Sequence, residues 1–215
     1  MGTETLTQGS DAWFNARLGI VTASRVNDVL SKGIQHEKYR KQLVSERITG
    51  ISVAPGFSNA AMEWGKDHEA EARAYFEQET GLTVTECGMY THPTLRAGAS
   101  PDGIIVSESA CLELKSPLNT THNDYIDDGI LPNRYRAQVQ FQIACSGMSR
   151  SWFASYDPRN PHKDTFDPPK ELRMFRILVE RDDAYIAKIE TAILAFTGEV
   201  DEMIERLTNA QPKGK

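Results

Sequence analysis

Ser100-Pro101-Asp102-Gly103 is followed, ten residues after the aspartate, by Leu112-Glu113-Leu114-Lys115. The Pro-Asp-Gly run supplies a sharp turn, since proline pre-sets one dihedral, aspartate caps its own backbone and glycine bends freely. In Leu112–Lys115 apolar and charged residues alternate, which is the period of a strand half-buried on one side. Glu113 and Lys115 then share one face about 6–7 Å apart, while Leu112 and Leu114 point into the core. A turn before such a strand predicts a hairpin that returns Asp102 beside Glu113 and Lys115.

Two carboxylates and one ammonium on a hairpin form a constellation suited to a metal and a phosphate. Hard carboxylate oxygens match Mg²⁺ or Mn²⁺, with the backbone carbonyl of Leu114 as a further ligand. Phosphodiester hydrolysis needs such a set: a metal polarises the phosphate and lowers the pKa of a water, and Lys115 orients that water or offsets developing charge. Glu-X-Lys alone also describes an ordinary surface pair ending a strand. The Pro-Asp-Gly at this spacing separates the two readings.

The chain has 215 residues, 40% of them apolar, enough for a single domain spanning 1–215 with a substantial core. Its three cysteines, Cys87, Cys111 and Cys145, lack metal-ligand spacing, which predicts reduced core thiols in a cytoplasmic protein. Met1–Ser10 is polar and no apolar run approaches the roughly 20 residues of a membrane span, so neither export nor a membrane is expected. The net charge of −6 is unevenly spread. Asp182–Arg206 holds seven acids against two bases, and residues 1–50 hold seven bases against five acids. This predicts an acidic C-terminal helix facing solvent and an N-terminal region facing a polyanion.

The order of elements predicts an α/β fold with a central mixed β-sheet flanked by helices. Helices are expected from Asp11 to Leu18, from Thr22 or Ser24 to Leu30, from His36 to Ile48, and from about Ser58 to Glu79 with Gly81 as C-cap. β-prone segments follow at 82–91, 95–99, 103–107 and 110–115, then a helix over 135–146 and strands near 151–156 and 173–180. Tyr185, Ile189, Ile193, Phe196, Val200, Met203 and Leu207 recur at helical spacing and mark a closing amphipathic helix over about 182–208.

On the fourth helix Ala61, Trp64, Gly65, Ala72, Tyr75 and Phe76 make one inward arc, with Glu69 at its edge. An acid there requires either an arginine or a metal. His68 in the same arc reads as a satisfied core histidine. On the helix over 135–146, Gln138 and Gln142 lie one turn apart on one face, where an amide can hold water or phosphate at the edge of a site.

Taken together these blocks resemble the lambda-type exonucleases, also called viral alkaline or YqaJ-like recombinases, of the PD-(D/E)XK nuclease superfamily. The resemblance runs in order through Asp11-Ala12-Trp13 with Arg17-Leu18-Gly19-Ile20-Val21-Thr22-Ala23-Ser24, Trp64-Gly65-Lys66 with Glu69, Ser100–Gly103, Leu112–Lys115, Ala137-Gln138-Val139-Gln140 and Tyr156-Asp157-Pro158-Arg159. The Asp and Glu-X-Lys elements are shared by many nucleases. The Arg17–Ser24 and Ala137–Gln140 blocks narrow the choice.

The resemblance implies a nuclease core in which Asp102, Glu113, the Leu114 carbonyl and Glu69 serve the metals, with two Mg²⁺ ions per site for which Mn²⁺ can substitute. It implies Lys115 as the catalytic lysine and Gln138 at the edge of the site. Arg17 and Ser24 would bind a 5′-terminal phosphate, and Met62 matches an apolar wedge between terminal base pairs. The activity implied is digestion of one strand of double-stranded DNA from a 5′ end toward 3′, by a homotrimer working beside a single-strand annealing protein of a phage or prophage. An endonuclease of restriction or repair type, or a non-catalytic DNA-binding module, would share the same core.

Overall fold

The computed structural model describes residues 8–53, 60–158 and 169–210, with backbone alone for 60–62. Helix α1 (Asp11–Ala16) is capped by Ser10, whose hydroxyl accepts from the Trp13 N–H at 3.2 Å. The helix begins at the expected Asp11 and stops two residues short of Leu18. A short strand β1 (Val21–Thr22) leads into α2 (Val26–Ser31) and α3 (Ile34–Thr49). Helix α4 (Ala60–Thr80) ends at Gly81, whose φ of 70° suits a residue without a side chain.

Strands β2 (Tyr90–Thr91), β3 (Ala97–Ala99), β4 (Gly103–Ile105) and β5 (Ala110–Lys115) follow. Next come helices α5 (Asn119–Asp128) and α6 (Asn133–Ser146), strands β6 (Arg150–Tyr156) and β7 (Met174–Glu180), and the closing helix α7 (Asp183–Thr208). The sheet divides in two. A three-stranded sheet has the order β1-β3-β2, and a four-stranded mixed sheet has the order β4-β5-β6-β7 with β5 and β6 parallel at its centre.

Two elements depart from the sequence reading. Within 82–91 only Tyr90–Thr91 is a strand, and Thr85 adds an isolated bridge to Ile104 with hydrogen bonds of 2.8 and 2.9 Å. Helix α5 is not expected from its Thr-Thr-His-Asn-Asp composition, which favours turns. Tertiary contacts hold it instead: buried His122 meets Ser155 Oγ at 2.8 Å and the Leu172 carbonyl at 2.9 Å, and Tyr125 packs edge-on against Phe153.

Strand alternation sorts the core. Leu112 and Leu114 face α4, where Ala72 and Phe76 are fully buried with Ala154 and Tyr156. On the opposite face α6 packs Val139 and Ile143 against Phe153. The far side of α6, through Ala137 and Phe141, joins a second cluster with α2, α3, β1, β3 and the Ile189, Ile193, Phe196 and Val200 stripe of α7. That stripe follows the predicted period, although Leu207 at its end is exposed. No helix among the described residues is long and apolar enough to cross a membrane.

The close approach of β2 to β3 depends on Gly98, where a Cβ would lie 2.5 Å from Met89 Cε and 2.8 Å from the Tyr90 carbonyl oxygen. Gly98→Ala should destabilise the protein by about 1–3 kcal/mol through overpacking. Gly198, in α7 with nothing within 4 Å of a built Cβ, should instead gain about 0.5–1 kcal/mol as alanine. Thermal melting of the two variants checks the contrast.

Candidate active site

The predicted hairpin forms. Gly103 pairs with Leu112 across β4 and β5, and the Asp102 N–H donates to the Leu112 carbonyl at 3.0 Å. One step further along β5, the Leu114 N–H donates to Asp102 Oδ2 at 2.7 Å. In a strand the N–H and C=O of one residue point to the same side, so the Leu114 carbonyl opens toward Asp102. The turn is tied from outside by Trp13, whose indole N–H donates to Ser100 Oγ at 3.0 Å.

On the other face of β5 the outward side chains meet one face of α6. Tyr135, Gln138, Gln142 and Ser146 are spaced three and four residues apart, the spacing of neighbours on a helix surface. Lys115 Nζ lies 5.6 Å from the centroid of the Tyr135 ring. Gln138 Nε2 donates to Glu113 Oε1 at 2.5 Å, and Gln142 Nε2 donates to Glu113 Oε2. Cys111 Sγ and Ser146 Oγ are 3.1 Å apart. Glu113 itself is 1% exposed, and the Lys115 ammonium pairs with its Oε1. The two amides that the sequence places at a site edge are thus spent on a carboxylate.

Charge is concentrated around these residues. Burial, and then the neighbouring Glu113, push the Asp102 carboxyl up to about 8 against the pull of Lys115. Burial works to neutralise Lys115, but Glu113 and Asp102 outweigh it, raise its pKa and keep it an ammonium. Glu69 pairs with Arg73 at 3.0 Å, and Arg73 also pairs with Glu86. Of the partners the sequence allows Glu69, the arginine is the one seen. Burial still raises its pKa, with Arg73 and then Lys115 opposing, so it lies within electrostatic reach of the site. Among the described residues no three His, Cys, Asp or Glu side chains are grouped to hold a metal. A metal here would rest on Asp102, Glu113 and the Leu114 carbonyl. His68 is satisfied locally, with Nδ1 2.8 Å from the Trp64 carbonyl.

The Arg17 segment forms a second cluster. The Arg17 guanidinium stacks on Trp13, 4.1 Å from the ring centroid, and pairs with no carboxylate among the described residues. Burial pulls its pKa down, and Tyr39 opposes that. Ser24 is exposed, with its hydroxyl 3.4 Å from Thr22 Oγ1. Helix α3 fixes the intervening loop: Glu46 Oε2 accepts from the Gly19 N–H at 3.0 Å, and Arg47 Nε donates to the Gly19 carbonyl at 2.7 Å. The side chain of Met62 and all of Arg159 lie outside the described residues.

The expected charge layout needs correction. Helix α7 does not simply turn its acids to solvent. Asp201 pairs with Arg47 at 2.8 Å, Glu199 meets His36 at 3.1 Å and Arg40 at 3.4 Å, and Glu190 meets His92 at 3.1 Å. Part of the basic excess of the first fifty residues is consumed inside the molecule.

Because the folded chain holds the Asp102 proton more tightly than the unfolded chain, the stability this group contributes is full below its ordinary value of 3.8 and is lost as the pH rises through about 8. In chelator the protein should melt at falling temperature across that window, and Asp102→Asn should flatten the decline. Parallel profiles in calorimetry would show that Asp102 carries no such proton.

The YqaJ-like viral recombinase domain model matches residues 12–149, from α1 through α6. An alkaline exonuclease, LHK-Exo from Laribacter hongkongensis, is 41% identical over 93% of this chain and 96% of that one, with a TM-score of 0.83. The structure of LHK-Exo in complex with dAMP is 42% identical over 92% of this chain and 96% of that one, again with a TM-score of 0.83. A phage-related exonuclease from Haemophilus somnus 129PT, 13% identical over 87% of this chain and 96% of that one, shares the fold with a TM-score of 0.67. Among curated protein sequences none matches. With the hairpin of Asp102 and Glu113 inside the matched span, the chain belongs to the YqaJ-like viral recombinase family.

Proposed function

We propose that the chain is a Mg²⁺-dependent exodeoxyribonuclease that digests one strand of duplex DNA from its 5′ end toward 3′ and leaves a 3′ single strand for recombination. The observation that carries this reading is the convergence of Asp102, Glu113, the Leu114 carbonyl and Lys115 across one hairpin. The donor set fits a hard divalent cation: the buried carboxylate of Glu113, the half-buried one of Asp102 and a main-chain oxygen, with Glu69 nearby. When bound, Mg²⁺ would polarise the scissile phosphate and lower the pKa of a water.

The chain's own residues supply the rest. Lys115, held as an ammonium, offers a charged donor to a phosphate oxygen or to the attacking water. Arg17, half-buried and paired with no carboxylate among the described residues, suits an anion, and Ser24 offers a hydroxyl two residues beyond Thr22. The likeness to LHK-Exo supports exonuclease chemistry, and its complex with dAMP, a deoxynucleoside monophosphate, accords with nucleotide-by-nucleotide digestion. The proposal extends to a homotrimer, to a single-strand annealing protein as partner, and to the cytoplasm of a bacterium hosting a phage or prophage.

Lys115→Ala should abolish cleavage while leaving Mg²⁺ binding, whereas Asp102→Ala and Glu113→Ala should lose both; calorimetry with Mg²⁺ or Mn²⁺ separates the classes. On a linear duplex phosphorylated at one 5′ end only, the strand bearing that end should disappear first. Supercoiled plasmid should survive, and its cutting would make the protein an endonuclease. Arg17→Ala should slow digestion of phosphorylated ends tenfold or more relative to hydroxyl ends, since a charge-assisted hydrogen bond contributes about 1.5–3 kcal/mol. An equal loss on both ends would make Arg17 structural.

A further inference from the structure

We infer that Gln142 is a positioning residue for the candidate metal ligand Glu113, the second prong of an amide clamp whose first prong is Gln138. The inference rests on the metal-dependent nuclease reading and deepens it. The two oxygens of Glu113 receive separate donors: Gln138 on Oε1, beside Lys115, and Gln142 on Oε2. One donor would leave the carboxylate free to turn about its last bond. Two donors rooted one helical turn apart fix its plane, so the lone pairs left over keep a set direction.

The state of the Gln142 side chain supports a role beyond packing. The residue is fully buried, and its Oε1 is buried without a hydrogen-bond partner among the described residues. Burying an unused acceptor is unfavourable, and an apolar side chain of the same length would avoid it. The amide has one sensible orientation, because turning it over would set its oxygen against the carboxylate. Its donors are also neutral, so they satisfy a buried anion without neutralising the charge a cation would need. The root of the prong is anchored as well: Ser146 Oγ donates to the Gln142 carbonyl at 2.7 Å and lies 3.1 Å from Cys111 Sγ on β5.

Gln142→Met keeps length and apolar volume and removes the donor. Mg²⁺ alone, and Mn²⁺ alone, should bind this variant about tenfold or more weakly than wild type in titration calorimetry, the range for loss of a partner that orients a ligand. Half-saturation of DNA cleavage should move to higher Mg²⁺ by a similar factor, with the rate recovering at saturating metal; a packing defect would lower that plateau instead. Wild-type metal affinity in a folded Gln142→Met would overturn the clamp and leave the nuclease reading standing. Absence of Mg²⁺ and Mn²⁺ binding by the wild-type chain would overturn both. If Gln142→Met does not fold, side-chain amide NMR of the wild type decides. The Gln142 amide protons should exchange slowly and shift on Mg²⁺ addition, and unshifted signals with metal bound would overturn the clamp.

Discussion

A carboxylate removed from water must be met by donors, and Glu113, in the middle of the central strand, sets that demand at the centre of this molecule. The answer comes from α6, which lies on β5 so that hydroxyl, amides and ring meet Cys111, Glu113 and Lys115 in turn. This one contact orders much else. It pins α6 over the parallel pair β5 and β6, leaves α4 to close the opposite face, and turns the far side of α6 into the floor of the N-terminal helical cluster. A helix that must do all three has little freedom to shift.

The second acid arrives by a different route. Asp102 belongs to a turn rather than a strand, and its carboxyl is held by a main-chain N–H of the strand that carries Glu113. Both acids are therefore referenced to the same few residues of β5. The electrostatic cost of bringing them together shows in the raised pKa of Asp102 and is partly offset by an ammonium two residues beyond Glu113. A local sequence arrangement, Asp-Gly then Glu-Leu-Lys, is enough to build such a centre because hairpin geometry is short-ranged.

That locality explains what could be read from the chain. Strand β5 was legible to the residue, as was its division into a charged and an apolar face, because alternation is a property of neighbours. The long helices α3, α4, α6 and α7 were expected close to their observed bounds, α4 with Gly81 as its cap and α7 from the helical spacing of its apolar residues. Helix α5 was not legible: its residues favour turns, and distant partners at Ser155 and Leu172 keep it helical. The extended stretch before β2 alternates like a strand but finds a pairing partner only at Thr85. In the site, Gln138 and Gln142 were visible as neighbours on one face, yet the object of that face was not, since it lies on another element. The pairing of α7 acids with α3 bases was hidden for the same reason, and a charge count along the chain misassigned both to solvent or substrate.

Trp13 joins two regions that are far apart in sequence. Its ring carries the Arg17 guanidinium, and its N–H holds Ser100, two residues before Asp102. A single flat, stiff side chain thereby acts as a calliper between Arg17 and the acidic turn. An anion bound at Arg17, as proposed, would sit at a reach from Asp102 gauged by an indole rather than by a loop. Any change that shortens or tilts that ring would be felt at both jaws together.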